Sequence, residues 1–446
     1  MKYISLSFAI ALGVAAVAAQ TPQQQPSELG IELKSSGGAP PRLAVPAFVA
    51  LSNDAETVAA ARTISDVLWN DLNYEHEFSF VARDVYTTIP AAKSIDDPPL
   101  DRWREVDADG VVVGSVQKSG SQLLIRYRLY DVRSRPTRQL VGSEFTGSAN
   151  PRRYAHTISD EIFKKTRNLD GVARTKLSFS SDRDGERLAG TIENRTVREI
   201  YISDYDGENQ QRVTVGRTLN SFPTWAPDAR SIAYVSWRRG QPNIFVSHIY
   251  DGTLTELTKG PSESYNPAWS PDGTRIAFSS TRDGHAQIYI ANKDGSNVRR
   301  LTNAPSLDTT PTWSPRGNEI AFTSDRSGTP QIYLMSADGL GGIQRLTSEP
   351  FADKPTWSTS TNEIAFESRT GARFDIKVID VATRTVKQLT FGEGSNESPV
   401  FSPYGRHLSF MSDRSGKLQI YTMTRDGRDV RQVTKNGENR LPSWSN

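Results

Sequence analysis

The sequence of 446 residues contains no cysteine and five histidines. Without cysteine the chain forms no disulfide, Fe–S cluster, thiolate zinc site or thiol nucleophile. Neither sign of charge dominates, because 53 Lys and Arg face 51 Asp and Glu, and this balance argues against a dedicated nucleic-acid binder. Beyond residue 19 no segment approaches the roughly 18 consecutive apolar residues of a membrane-spanning helix. Eight Trp, 15 Tyr and 17 Phe instead indicate folded domains.

Residues 1–19 have the pattern of a secretory signal peptide. A lysine at position 2 precedes an apolar stretch that ends in small residues, with cleavage expected after Ala18 or Ala19. A membrane anchor is the alternative, but the stretch is short and rich in Ala and Gly. We therefore expect the protein to be exported. Residues 20–41 are expected to form a flexible segment, in which 20–27 have linker composition.

From residue 176 onward the sequence repeats every 44 residues. Each repeat has an aromatic residue in a first short segment, an isoleucine in a third and a threonine after a fourth. The isoleucines are Ile200, Ile244, Ile288, Ile332, Ile376 and Ile420, and the aromatic residues are Trp225, Trp269, Trp313, Trp357, Phe401 and Trp444. Asp-Gly and Pro-Asp-Gly turns separate the segments, as hairpins require.

Four short strands per 44 residues predict one propeller blade per repeat. The final Pro442-Ser443-Trp444 matches the first strand of a repeat, and no further repeat follows it. We therefore expect this strand to complete the first blade and close a ring of six, with the tryptophans between neighbouring sheets. The predicted fold is mainly β: a six-bladed β-propeller over 173–446, preceded by a small α/β domain.

Residues 42–172 break the β repeat. The 3.6-residue spacing of apolar side chains predicts a helix over 56–72, with Asn53 as its cap, and Asn150 is expected to cap another that runs to Lys165. Strands around 43–48, 111–116, 123–130 and 140–145 complete an α/β domain over 42–172. It contains no Gly-rich phosphate-binding loop, so no nucleotide cofactor is expected.

The repeat Trp-Ser-Pro-Asp-Gly…Ile-Ala-Phe…Arg-Asp-Gly…Gln-Ile-Tyr…Leu-Thr, seen over 269–302, resembles the WD40-like repeat of the TolB family. Two further stretches strengthen the resemblance. Tyr154–Phe163 is similar to the last helix of that family's N-terminal domain, and Ile200–Gln210 is similar to its first blade. The resemblance spans roughly 28–446 and implies a periplasmic, non-enzymatic protein of a Tol-Pal system.

No pattern in the sequence indicates catalysis. A G-x-S-x-G nucleophile motif is absent, and His76-Glu77 lacks the second histidine of H-E-x-x-H. The aspartates of the Asp-Gly turns suit β-turns better than calcium ligation. We therefore expect no catalytic, metal-binding or cofactor-binding residues.

One end of the propeller is a more promising site for binding a partner than any pattern is for catalysis. Within a blade, the linker from strand 4 to the next strand 1 and the turn from strand 2 to strand 3 must lie at the same end. The turns place arginines there, either as ligands for an acidic partner or as partners of nearby aspartates: Arg183, Arg238, Arg282, Arg326, Arg369 and Arg414. The linkers vary between repeats, which favours recognition: 262–266, 306–310, 351–354, 393–398 and 436–440.

The resemblance implies that this end binds a Pal-like peptidoglycan-associated lipoprotein. Alignment on the Pro-x-Trp strand places Glu263, Asn266 and Thr309 at the family's implicated positions. Glu263 stands where a histidine is expected and Asn266 where an alanine is. The predicted contact set is Glu263, Tyr265, Asn266, Arg282, Asp308, Thr309, Arg326, Asp353, Lys354 and Glu397.

Residues 28–40 are similar to the family's N-terminal strand, which adds to the inner-membrane protein TolA and otherwise folds back on the body. Leu29, Ile31 and Leu33 alternate with other residues, as an added edge strand requires. The resemblance thus implies a monomeric scaffold between a Pal-like and a TolA-like protein, supporting outer-membrane integrity and constriction at cell division. The alternatives are an exported sensor of an acidic glycan or peptide, and an exported hydrolase or lyase.

Overall fold

The computed structural model describes Leu33, Ser35 and residues 39–188 and 196–446. The α/β domain comes first. Its strands are β1 (Arg42–Ala44), β2 (Val49–Ala50), β3 (Ser79–Phe80), β4 (Gly110–Ser119), β5 (Gln122–Asp131) and β6 (Arg138–Ser148). Its helices are α1 (Ala55–Tyr74), α2 (Leu100–Glu105) and α3 (Pro151–Arg167), with a short 3-10 turn at Val85–Thr88. In the described part of the domain, the strands form one sheet in the order β3-β1-β4-β5-β6, with β2 also paired to β4.

Helices α1 and α3 cover one face of this sheet. Their apolar stripes include Ile64, Leu68, Ile158 and Ile162, each fully buried against the central strands. Asn150 caps α3 by accepting a hydrogen bond from the backbone N–H of Arg153, as predicted. The predicted cap of α1 was wrong by one residue. Asp54, not Asn53, accepts from Thr57 N–H, because its side chain stands three residues before that amide.

The second unit is a six-bladed propeller, which confirms the predicted mainly β architecture. Blade 1 contains β7 (Lys176–Ser181), β8 (Glu199–Asp204) and β9 (Gln211–Arg212); blade 2 is β10 (Asn220–Trp225), β11 (Ser231–Ser236), β12 (Asn243–His248) and β13 (Leu254–Glu256). Blade 3 is β14 (Ser264–Trp269), β15 (Arg275–Ser280), β16 (Gln287–Asn292) and β17 (Arg299–Arg300); blade 4 is β18 (Asp308–Trp313), β19 (Glu319–Ser324), β20 (Gln331–Ser336) and β21 (Gln344–Arg345). Blade 5 is β22 (Ala352–Trp357), β23 (Glu363–Thr370), β24 (Arg373–Asp380) and β25 (Val386–Gln388); blade 6 is β26 (Asn396–Phe401), β27 (His407–Ser412), β28 (Gln419–Thr424) and β29 (Arg431–Gln432). The last strand, β30 (Asn439–Trp444), belongs to blade 1.

Strand β30 closes the ring. It pairs antiparallel with β7, so that Asn439 lies opposite Ser181 and Trp444 lies opposite Leu177. The first blade is therefore built from both ends of the propeller sequence, and hydrogen bonding between strands holds them together. A closed ring needs no covalent link between its first and last blades.

The aromatic residue of each inner strand packs between neighbouring blades. Trp313, for example, contacts a cluster that includes Ile288 of blade 3 and Phe322 of blade 4. Its indole Nε1 donates to the carbonyl of Ala268 on the preceding inner strand at 3.0 Å. Apolar burial thus ties each blade to the next, and between blades 3 and 4 this hydrogen bond adds to it.

The α/β domain packs on one end of the propeller, against blades 1 and 6. Glu75, at the end of α1, accepts a hydrogen bond from Arg406 of blade 6 at 3.0 Å. His156 of α3 lies 2.8 Å from Asp71 of α1 and beside Asp204, which is in a turn of blade 1. Arg406 and Asp204 lie at the strand 1-to-2 and strand 3-to-4 turns of their blades. We call this end, formed by those turns, the domain face, and the opposite end the linker face.

Candidate functional site

The linker face carries the strand 4-to-1 linkers and the strand 2-to-3 turns, as predicted. In blade 2, Asn220 begins the inner strand opposite Ser236, and Ser236 in turn lies opposite Asn243. The start of strand 1, the end of strand 2 and the start of strand 3 are therefore at one end of the sheet. The same register recurs in the other blades.

Each inner strand has a bulge where it enters the channel. Pairing with strand 2 shifts between the second and fifth residues, and the third residue has a left-handed backbone, with φ between 47° and 55°. A proline follows it and leaves the ladder without a donor. These left-handed residues are Phe222, Asn266, Thr310, Lys354, Ser398 and Leu441.

The bulges line the central channel. They enclose a cavity of about 180 Å³ whose wall contains the left-handed residues and the prolines that follow them. One residue earlier in each strand is a second set at the channel mouth: Ser221, Tyr265, Thr309, Asp353, Glu397 and Arg440. Because the bulge repeats six times while its side chains differ, the mouth combines a fixed backbone with a variable surface.

Most of the predicted contact residues converge at this mouth. Glu263 lies in the linker just before it, where its carboxylate accepts from the Tyr265 hydroxyl at 3.3 Å. Asp353 accepts from Thr310 Oγ1 at 3.1 Å, which joins the inner strands of blades 4 and 5. Partly exposed on this surface are Glu263, Tyr265, Asn266, Thr309, Asp353, Lys354 and Glu397.

Asp308 does not belong to the accessible surface. Its side chain is fully buried, and both carboxylate oxygens accept from Arg326 Nη2, at 2.8 and 3.0 Å. The prediction of a partner contact here was therefore wrong. Asp308 instead fixes the start of its inner strand to the turn of the same blade.

The six turn arginines stack on aromatic side chains, most of them in their own blade. Arg282, for example, lies 5.4 Å from the ring of Phe278 and 4.9 Å from that of Tyr289. The others stack in the same way: Arg183 on Phe179 and Tyr201, Arg238 on Phe245, Arg326 on Phe322 and Tyr333, Arg369 on Phe351 and Phe374, and Arg414 on Phe410 and Tyr421. Because these guanidinium groups contact aromatic rings of the propeller, they give little support to a sensor of acidic ligands.

Blade 5 adds a buried ion pair that the sequence reasoning missed. Glu367, 4% exposed, lies 3.4 Å from Lys354 Nζ and accepts from the Ser398 backbone N–H at 2.9 Å. Burial outweighs the attraction of Lys354 and raises the pKa of Glu367 to about 7. Aligning the second strands of all repeats shows the signal, because Glu367 is the one ionisable residue at this position.

Within residues 28–40 the structure describes Leu33, Ser35 and residues 39–40. Leu33 is 1% exposed and packs with Leu43 in the core of the α/β domain. It lies against Gly110, where an added Cβ atom would come within 2.8 Å of Leu33 Cδ2. Leu29 and Ile31, which were predicted to act with it, lie outside the described residues, as do residues 1–19.

The turn aspartates accept hydrogen bonds from backbone N–H groups of their own turns. Asp294 accepts from the Ser296 backbone N–H at 2.9 Å, and Asp272 accepts from Thr274 at 3.0 Å. In the described ranges, no group of three or more His, Asp or Glu side chains is placed to hold a metal ion. No helix within these ranges has the length and apolar character needed to cross a membrane.

Comparisons with known proteins agree with this architecture. The model of the TolB β-propeller domain matches residues 163–376 and 351–446, and that of the TolB amino-terminal domain matches 29–138. The solved structure of TolB from Acinetobacter baumannii is 28% identical, with a TM-score of 0.74 over 91% of this chain and 96% of that one.

Among curated proteins, Tol-Pal system protein TolB of Desulfosudis oleivorans is 32% identical over 220 residues, and that of Pseudomonas entomophila is 32% identical over 195. These alignments cover 49% and 44% of this chain, and 47% and 43% of the relatives. The chain thus spans about half the length of the curated relatives it matches. The family models extend over both units of the fold, and the chain belongs to the TolB family.

Proposed function

We propose that this protein is a non-enzymatic periplasmic scaffold of a Tol-Pal-type envelope system. On the linker face it binds a Pal-like, peptidoglycan-associated lipoprotein. The observation that carries this proposal is the position of the α/β domain, which packs on the domain face at blades 1 and 6 and leaves the linker face open. The matched relatives carry the name of the Tol-Pal system, which supports the choice of partner.

The contact surface has the features of a protein-binding site. Partly exposed polar side chains surround the channel mouth on a bulged backbone that the blades hold rigidly. The adjoining linkers add exposed apolar side chains, with Phe391 72% and Leu307 49% exposed. Such groups bury apolar area when a partner binds, while the polar set at the mouth selects the partner.

Charge reversal at the mouth tests the binding surface. Asp353→Arg and Glu397→Arg should each weaken capture of the cognate lipoprotein at least about tenfold, measured by titration calorimetry with the full mature chain. Lys293→Glu, which reverses an exposed charge on the domain face, should leave the affinity unchanged. Circular dichroism checks that all three variants fold.

Two results would contradict this part of the proposal. Failure of the wild-type chain to capture the lipoprotein of its own organism would refute the assigned partner. Equal weakening by Lys293→Glu would instead place the contact away from the linker face.

The proposed second contact is the N-terminal segment, which binds a TolA-like inner-membrane protein. Leu33 buried beside Gly110 is the docked end of this segment. Docking of the segment on the α/β domain and its binding to the TolA-like protein would compete, so that docking acts as a switch between two sets of contacts. In this way the scaffold would support outer-membrane integrity and constriction at cell division.

A short deletion tests this second contact. Removal of residues 28–32 retains the buried Leu33 and should abolish capture of the TolA-like protein, whereas capture of the lipoprotein should persist. Retained TolA-like binding by the deletion variant would show that the segment is not the contact.

A further inference from the structure

A groove at the domain face lies between blades 2 and 3, away from the α/β domain. It has a volume of about 510 Å³, and all of its lining residues belong to these two blades. Its lining includes Trp269, Val246 and Pro227. Trp269 is partly exposed, whereas the aromatic residues at the ends of the other five inner strands are buried. This junction of two blades therefore leaves open an aromatic ring that the other junctions cover.

Blade 2 has short side chains at two positions where the other five blades have longer ones. The first position begins strand 2, where the equivalents of Ser231 are Lys176, Arg275, Glu319, Glu363 and His407. The second position is on strand 4, where the equivalents of Thr255 are Gln211, Arg299, Gln344, Lys387 and Arg431. Both short residues line the groove.

The next groove, between blades 3 and 4, shows what arginines do at these two positions. Arg275 lies over the ring of Trp313, with its guanidinium carbon 4.8 Å from the ring centroid. Arg299 donates to the backbone carbonyls of Ala337 and Asp338, which lie in a turn of blade 4. That junction thus holds two guanidinium groups, one by a cation–π contact and one by charge-assisted hydrogen bonds.

The groove between blades 2 and 3 has the same ring and the same carbonyls. Trp269 corresponds to Trp313, and the turn residues Lys293 and Asp294 correspond to those that accept from Arg299. In the part of the chain that the structure describes, neither the Lys293 nor the Asp294 carbonyl accepts a hydrogen bond. Guanidinium groups from another molecule therefore have the same contacts available here.

The rim of the groove favours a cation. Three aspartates of adjoining turns line it: Asp228, Asp272 and Asp294. Each accepts hydrogen bonds within its own turn through Oδ1, and Oδ2 of each has no partner among the described residues. The cationic side chains of the lining are Lys293 and His248, and His248 already lies 3.1 Å from the Asp251 carboxylate. Carboxylates therefore outnumber the available cations at this rim.

We propose that this groove, which we call the blade 2–3 groove, binds an arginine-bearing segment of a partner protein. One guanidinium lies over Trp269, and that of a second, nearby arginine donates to the carbonyls of Lys293 and Asp294. The aspartates at the rim attract the positively charged segment. Arginine fits better than lysine, because its planar group stacks on an aromatic ring and offers several N–H donors. The groove is at the domain face, so a partner bound there leaves the linker face free.

Titration of the full mature chain with N-acetyl-Arg-Gly-Arg amide tests the proposal. The indole ¹H–¹⁵N resonance of Trp269, assigned with the Trp269→Phe variant, should shift in a saturable way. The lysine peptide N-acetyl-Lys-Gly-Lys amide has the same charge and should bind at least about fivefold more weakly, because an ammonium group neither stacks nor offers a planar set of donors.

Two variants fill the groove from within the chain. Ser231→Arg supplies the residue that lies over the ring in the next groove, and Thr255→Arg supplies the one that donates to the carbonyls. Each should weaken binding of the arginine peptide at least about tenfold. The matched control is Gln344→Arg, which adds an arginine at the equivalent strand position of blade 4 and should leave binding unchanged. Circular dichroism checks that the variants fold.

Three results would overturn the proposal: no saturable shift of the Trp269 indole with the arginine peptide, equal binding of the lysine peptide, or equal weakening by Gln344→Arg. The second would mean that the groove attracts any cation. The third would mean that positive charge added elsewhere on the propeller is enough to weaken binding.

Discussion

At the scale of single residues, Glu367 shows how one blade departs from its repeat. The equivalent residues in the other second strands are uncharged: Ser180, Val235, Ser279, Thr323 and Met411. Glu367 is buried at this position and contacts Lys354, itself the one charged residue among the six left-handed bulge positions. The two departures from the repeat compensate each other.

The raised pKa of Glu367 predicts a pH-dependent stability. Its pKa is about 7 in the folded chain against an ordinary value of 4.5, so its stabilising contribution is full below pH 4.5 and is lost as the pH rises through 7. Glu367→Gln stays neutral. Between pH 4.5 and 8, the free energy of unfolding of the wild type should therefore fall by about 3 kcal/mol relative to this variant, measured by urea denaturation.

Glu393→Gln serves as the control, because the Glu393 side chain is 68% exposed. Its difference from the wild type should not change with pH. A constant difference for Glu367→Gln as well would show that Glu367 does not titrate in this range.

At the scale of single elements, the inner strands combine features that usually weaken a strand. Each has a left-handed residue and a proline in its middle, where a regular ladder would need extended backbone and an N–H donor. The destabilising effect of the left-handed residue and the proline is tolerated because each inner strand pairs with a neighbour on one side alone. Its final aromatic residue also packs between blades. The bulge also turns the residues at the channel mouth toward the linker face.

Ser398 provides a test of this strain. Its φ is 53°, and among the described residues its buried hydroxyl has no partner. Ser398→Gly relieves the left-handed strain and removes the unpaired hydroxyl, while its backbone N–H still donates to Glu367. We expect a gain of about 1 kcal/mol in the free energy of unfolding, measured by urea denaturation.

Thr356→Gly is the matched control in a neighbouring inner strand, at a position without positive φ. Its free energy of unfolding should fall by about 1 kcal/mol. At a position of ordinary strand conformation, glycine relieves no strain and only raises the conformational entropy of the unfolded chain. Losses in both variants would show that the bulge is not strained.

At the scale of the whole molecule, a buried polar cluster joins the two units. His156 of α3 lies 2.8 Å from Asp71 of α1, and Asp71 accepts from the hydroxyl of Tyr205 in blade 1 at 2.8 Å. Burial opposes a charge on His156, but the carboxylates of Asp204 and Asp71 outweigh it and raise its pKa to about 9. The interface therefore contains a buried imidazolium at neutral pH.

This interface predicts a pH dependence at the alkaline side. Because the pKa of His156 is raised from 6.5 to about 9, its contribution is full below pH 6.5 and is lost as the pH rises through 9. His156→Gln should be clearly less stable than the wild type at pH 6. That difference should shrink by about 3 kcal/mol by pH 9.5 in urea denaturation. The exposed His285→Gln should show no such trend, and a constant difference for His156→Gln would contradict the assignment of charge.

The sequence by itself determined the ring. A 44-residue period, turn residues at fixed offsets and a surplus first strand at the end of the repeats specify six closed blades, because these signals are local and recur. Local signals also located the linker face and most residues of its mouth. They failed for Asn53 and Asp308, since a cap and an ion pair depend on distances that spacing along the chain does not give.

Only the tertiary structure decided what joins distant segments. It showed that the turn arginines stack on aromatic rings, that Glu367 meets Lys354, and that α1 covers blade 6 above His407. These contacts include residues several hundred positions apart, such as Tyr74 and His407. The repeat shows that Glu367 is an exception but does not show what it contacts. The physical reason is that burial and charge pairing depend on three-dimensional proximity, which the blades and the α/β domain establish together.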